Sequence, residues 1–79
     1  MTARLVFLGR LEDLAGAAEL AVAAGPLPDV LAALAPNLTD ALLDDRIKLA
    51  LNGALIADRA GIVLDEGDEL AFLPPVSGG

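Results

Sequence analysis

The chain contains no cysteine, no histidine, no tryptophan and no tyrosine. Without cysteine there is no disulfide staple, thiolate nucleophile, iron–sulfur cluster or thiolate zinc site, and without histidine the commonest metal ligand and general base are missing too. Ordinary side-chain catalysis is therefore nearly excluded. Cationic residues are scarce: 5 Lys and Arg stand against 12 Asp and Glu, a formal net charge of −7, with an isoelectric point near 4.1. A field of that sign repels phosphate backbones and anionic lipid and favours basic protein surfaces, so neither nucleic acid nor membrane is an expected partner. Long apolar runs are also lacking. Although 56% of the residues are hydrophobic and the mean hydropathy is +0.65, these are mostly Ala and Leu spread among charges, and no run approaches the ~20 residues that span a bilayer. Met1-Thr2-Ala3-Arg4 leads straight into a strand-like run without the features of a secretory signal, which makes a cytoplasmic location the expectation. At 79 residues the chain reads as one domain, and a domain of this size buries only ~60% of its unfolded surface.

What is present is a regular alternation of short elements. Arg4-Leu5-Val6-Phe7-Leu8 reads as a strand with Leu5 and Phe7 on one face and Val6 and Leu8 on the other. Leu11 and Leu14 before Gly16 mark one or two helical turns with a glycine stop, and Ala18 to Ala23 a second strand. The spacing of Leu27, Val30, Leu31 and Leu34, with Pro28 in the first helical turn, predicts the main helix over Pro28 to Ala35, ended by Pro36. Leu38, Leu42 and Leu43 then predict a further short turn. Ile47, Leu49 and Leu51 alternate with Lys48, Ala50 and Asn52, the period of a half-buried strand, and Asn52-Gly53 is a hairpin signal leading to a return strand at Leu55-Ile56. Ala57 to Leu64 reads as irregular, Asp65-Glu66-Gly67-Asp68 as a turn, and Glu69 to Leu73 as the last strand, with Leu70 and Phe72 on its core face. The folded unit is expected to span residues 1–73, with 74–79 as an extended tail.

That tail carries the chemistry. Pro74-Pro75-Val76-Ser77-Gly78-Gly79 joins a stiff exit to an end without side chains, a probe of roughly 20 Å at ~3.3 Å per residue. Two glycines let another protein's backbone close on the terminal carboxylate, which any Cβ would obstruct. A carboxylate is a poor electrophile, but as an acyl adenylate it gains a good leaving group, which a sulfur donor can displace to leave a terminal thiocarboxylate without any cysteine on the carrier. Other signals carry less. Asp65-Glu66-Gly67-Asp68 lacks calcium-loop spacing, Gly9, Gly16 and Gly25 fit neither a dinucleotide fingerprint nor a phosphate loop, and Lys48, the only lysine, reads as a solvated charge. No metal or cofactor is expected on this chain. Val6, Leu8, Leu55, Ala71 and Leu73 fall on the face opposite the core near the base of the tail, an expected docking patch.

The run Asp65-Glu66-Gly67-Asp68-Glu69-Leu70-Ala71-Phe72-Leu73-Pro74-Pro75-Val76-Ser77-Gly78-Gly79 resembles the C-terminal signature of the molybdopterin synthase small subunit. The likeness extends more loosely through Phe7-Leu8-Gly9-Arg10-Leu11, Leu14-Ala15-Gly16 and Leu51-Asn52-Gly53. The resemblance implies an α+β, ubiquitin-like β-grasp fold, a mixed sheet packed on one main helix. It implies that a ubiquitin-activator-like adenylating enzyme spends ATP on Gly79 and that a sulfurtransferase route installs the thiocarboxylate. The charged tail then enters the large synthase subunit, in a heterotetramer of two small and two large subunits, and gives sulfur to a cyclic pyranopterin phosphate. It further implies that Gly78 and Gly79 are the reactive end, and that Leu8, Leu55, Leu73, Pro74, Pro75, Val76 and Ser77 touch the partner. The chain departs from the family at Leu73, where an aromatic often stands. Two other readings share the Gly-Gly end: a sulfur carrier for thiamine or cysteine synthesis, and a ubiquitin-like modifier conjugated to lysines.

Overall fold

The computed structural model describes residues 1–75. The elements run β1 (Thr2–Phe7), α1 (Arg10–Ala15), β2 (Glu19–Ala23), β3 (Gly25–Pro26), α2 (Leu27–Ala32), α3 (Pro36–Leu42), β4 (Lys48–Leu51), β5 (Ala54–Ile56), β6 (Val63–Leu64) and β7 (Glu69–Leu73). Five strands form one sheet in the order β2-β1-β7-β4-β5, and β3 pairs with β6 in a separate two-stranded ribbon. The central pair, β1 with β7, is parallel, and the other pairs are antiparallel. A parallel pair needs a long crossover. Here the whole middle of the chain supplies it, and the helices it carries close one face of the sheet. This is the ubiquitin-like β-grasp.

Alternation decides which face is closed. Leu5 and Phe7 on β1, Leu70 and Phe72 on β7 and Leu49 on β4 are all buried, and α1, α2 and α3 add Leu11, Leu27, Val30, Leu31, Leu38 and Leu42 from above. The only two aromatic residues sit side by side in the parallel register and stack, with ring centroids 5.7 Å apart. Stacking of this kind adds about 0.5–1.5 kcal/mol beyond area burial. It ties the first strand to the last at the middle of the sheet.

Two expectations need correction. The helix predicted over Pro28 to Ala35 ends at Ala32, and the short turn expected after it is a longer helix, Pro36–Leu42. The reason lies at Pro36, whose ring forces Ala35 out of helical geometry to φ −59°, ψ 139°. The turn before it tightens, with Ala33 and Leu34 N–H donating to Val30 and Leu31 carbonyls three residues back. Thr39 Oγ1 then donates to the Leu31 carbonyl at 2.6 Å and binds the two helices together. The stretch expected as one main helix and a turn is thus two consecutive short helices, α2 and α3. The second correction concerns Ala57 to Leu64, expected to be irregular: Val63–Leu64 pairs with Gly25–Pro26, which brings Ile62 and Leu64 into the core.

Arg59 holds this region in place. Its guanidinium donates to the carbonyls of Leu42 at 2.9 Å, Asp44 at 3.1 Å and Ile47 at 2.8 Å, so one side chain satisfies carbonyls that neither α3 nor β4 pairs. The hairpin at Asn52-Gly53 has both residues at positive φ, 51° and 87°, as a type I′ turn requires. The Asn52 side chain also accepts from Glu69 N–H and donates to Asp68 Oδ1, both at 3.0 Å, joining the hairpin to the start of β7.

Candidate functional site

The outer face of the sheet is where the expected site residues gather. Register pairs Val6 with Ala71, Ala71 with Ala50 and Ala50 with Leu55, so these four residues form one row across β1, β7, β4 and β5. The next row, toward the end of β7, holds Leu73 with Lys48 opposite it. Leu8 joins this row, because its N–H donates to the Phe72 carbonyl at 3.2 Å and continues the parallel ladder past the end of β1. Leu55 is 73% exposed and Leu8 41%, while Val6, Ala50, Ala71 and Leu73 are half-buried by their neighbours alone. Leu8 and Leu73 are therefore adjacent. Leu55 shares their face but lies two inter-strand spacings, roughly 10 Å, from β7.

The opposite end of this face is polar. Arg4 bridges Glu19 at 3.0 Å and Glu69 at 2.7 Å, with Arg4 and Glu19 exposed and Glu69 half-buried, so the pairs contribute little to stability. Beyond them the Asp65–Asp68 turn closes on itself. Asp68 Oδ2 accepts the Asp65 N–H at 2.8 Å, and this bond, helped by the Asn52 amide, holds the Asp68 carboxyl below its ordinary range. The face thus runs from charged at one end to apolar at the end where β7 runs out.

Pro74 and Pro75 follow directly from that apolar end and are both half-buried. Proline lacks an N–H, so the ladder cannot extend past Leu73, and the chain must leave the sheet here. A Cβ on Gly9 would stand 3.1 Å from Pro74 Cγ, which places the first proline against the corner between β1 and α1. Val76, Ser77, Gly78 and Gly79 lie outside the described residues. Sequence reading passed over two contributors to this surface. Ala50 sits on the strand's polar alternate yet completes the apolar row, which its small apolar side chain in that phase already signalled. Gly9 belongs to no recognisable motif, and only the fold reveals that the tail's root rests on it.

Among the described residues no helix is long and apolar enough to cross a membrane. A β-grasp sheet with one covered face and an outer face that is apolar where β7 runs out defines the class of ubiquitin-like proteins. The chain belongs to the ThiS family, which matches residues 5–79.

Solved structures agree. The crystal structure of SAMP1 from Haloferax volcanii is 30% identical with a TM-score of 0.80, each chain covered over 100% of its length. The small archaeal modifier protein 1 from Methanosarcina acetivorans is 28% identical with a TM-score of 0.73, over 99% of this chain and 96% of that one. From Helicobacter pylori 26695, a chain in the complex of subunits 1 and 2 of molybdopterin-converting factor is 26% identical with a TM-score of 0.68, over 100% of both chains. No curated protein matches the chain significantly.

Proposed function

We propose that this chain is the sulfur-carrier subunit of a molybdopterin synthase, with residues 1–73 as the docking body and 74–79 as the reactive tail. The observation that carries the reading is the apolar end of the outer face, Leu8, Leu73 and the Val6–Ala71–Ala50–Leu55 row, at the root of a tail ending in Gly78-Gly79. A surface of that kind suits a partner that must first hold the body and then thread the end. The carrier is not an enzyme on its own and binds no cofactor itself. An activating partner uses ATP to adenylate the Gly79 carboxylate, releasing pyrophosphate. Sulfide delivered by a sulfurtransferase route displaces AMP and leaves the thiocarboxylate. The large subunit then receives the tail beside cyclic pyranopterin monophosphate, to which sulfur passes in building the dithiolene, and water cleaves the acyl–sulfur bond to return the carrier to the carboxylate. The Helicobacter pylori chain, solved with subunit 2 of molybdopterin-converting factor, supports a large-subunit partner on this same fold.

A second reading rests on the likeness to two small archaeal modifier proteins. In it, the adenylated tail is captured by a lysine amine of another protein as an isopeptide. Reconstitution separates the two. Carrier, activating enzyme, ATP, sulfide source, large subunit and cyclic pyranopterin monophosphate are expected to yield molybdopterin as the thiocarboxylate is consumed. Isopeptide bonds between Gly79 and target lysines, seen after trypsin as a branch running from Ala60 to Gly79, with no molybdopterin, would favour the modifier reading.

A further inference from the structure

Six glycines have positive φ among the described residues, and five of them, Gly16, Gly25, Gly53, Gly61 and Gly67, face open space within 4 Å of where a Cβ would stand. Gly9 does not. A Cβ there would meet Pro74 Cγ at 3.1 Å and Pro74 Cδ at 3.9 Å, the first of these too close for an unmoved ring. Its backbone, at φ 56° and ψ −135°, is a conformation that side chains other than glycine's rarely adopt. The position is fixed from both sides: Leu8 N–H is bound to the Phe72 carbonyl at 3.2 Å, and the Leu8 and Gly9 carbonyls accept from Leu11 and Glu12 N–H at 3.1 Å as α1 begins. The corner between β1 and α1 is therefore rigid on one side of the contact. Pro74, with no N–H to donate to the sheet, packs its ring against this corner on the other.

We infer that Gly9 is a positioning residue for the reactive tail: its bare Cα is the seat on which the Pro74 ring rests, and that seat sets the direction in which the chain leaves β7. The inference rests on the tail's being the acyl donor. A rotation at Pro74 turns the root of the tail relative to the docking rows on the strands. Reacting groups must meet within about 3–3.5 Å, so a small rotation at the root is expected to reach the chemistry while the docking rows, which lie on the strands, stay as they are.

The test uses the full chain with its activating enzyme, following ATP–pyrophosphate exchange alongside thermal melts. Gly9→Ala is expected to lower kcat for adenylation by about tenfold or more with KM little changed, since docking is intact and presentation is not. Gly61→Ala places the same methyl at a positive φ of 79° with nothing beside it. It is expected to lower the melting temperature comparably and to exchange at the wild-type rate. Pro74→Ala removes the ring without straining Gly9 and is expected to reduce kcat as well, so the test survives even if Gly9→Ala does not fold. In the Pro74→Ala background, adding Gly9→Ala is expected to cause little further loss. Wild-type kcat in Gly9→Ala, or equal losses from Gly9→Ala with and without the Pro74 ring, would overturn the inference. Absence of exchange by the wild-type chain with a demonstrably active enzyme would instead overturn the tail chemistry on which it rests.

Discussion

The two faces of the five-stranded sheet are built from the same strands, one residue out of phase, yet they are organised by different demands. The inner face is apolar from edge to edge and fully covered at its centre, with Leu5, Phe7, Leu70 and Phe72 at 0% exposure. The outer face is apolar along Leu8, Leu73 and the Val6–Leu55 row, with Lys48 flanking Leu73 and Glu19 ending that row on β2, and it is charged around Arg4 and Glu69 at the far end. Folding alone explains the first pattern. It does not explain the second, because a face that needs only to meet water has no reason to collect Leu8, Leu55 and Leu73 while Arg4 and Glu69 take the other end. On the function proposed above, the difference separates residues that make the fold from residues offered to a partner.

The largest expected effect breaks the inner face. Phe72→Ala removes a fully buried ring and the stack on Phe7, and should cost about 3–5 kcal/mol, much of the stability of a domain this small. Urea unfolding measures it. A loss under about 1 kcal/mol would mean that the central pair does not anchor the sheet.

One residue along, the outer face should answer in the opposite way. Leu73→Asp is expected to leave the melting temperature nearly unchanged and to weaken binding to the large synthase subunit by ~2 kcal/mol or more, because a charge would then be desolvated at a central contact. Calorimetry on the folded variant checks both halves. Undiminished affinity would remove Leu73 from the interface, and unfolding would show that its half-buried side chain supports the core after all.

The smallest expected effect belongs to neither face. Asp44 accepts from the Arg46 side chain at 2.8 and 3.2 Å and from its N–H at 2.9 Å, and these bonds pull its carboxyl from the ordinary 3.8 to about 2. The folded value lies below the unfolded one, so the contribution is present above about pH 4 and is lost as pH falls toward 2. The group is solvent-accessible, so only a modest acid slope is expected. Urea midpoints measured across that range should fall less steeply in Asp44→Asn, and identical slopes would exclude the Asp44–Arg46 pair as their source.

Strands were legible in the sequence because alternation is local: Glu69 to Leu73 coincides with β7, and Asn52-Gly53 marks the hairpin between β4 and β5. The outer apolar residues followed from the same phase, since Leu73 must face away from Phe72. The helical layer was less legible. Leu27 to Leu43 is a nearly continuous Ala/Leu pattern, and only the stereochemistry at Ala35-Pro36 determines how it divides between α2 and α3. The ribbon of Gly25–Pro26 with Val63–Leu64 is too short to leave a periodic signal. Arg59 and Gly9 act through distant partners, three carbonyls in one case and a proline ring 65 positions later in the other. No local pattern announces such contacts.

The central claim is that Gly79 is the atom-bearing end of a sulfur carrier and that the folded body serves to deliver it. The most direct measurement is the mass of the C-terminal peptide after incubation with the activating enzyme, ATP and a sulfide source, for the wild-type chain and for chains lacking Gly79 or extended by one residue. The wild-type peptide should show one oxygen exchanged for sulfur. Both altered chains should remain unmodified while melting as the wild type does, since a shift of ~3.3 Å removes the carboxylate from reach without touching the core. An unmodified wild-type peptide, or sulfur on the shortened chain, would contradict the account.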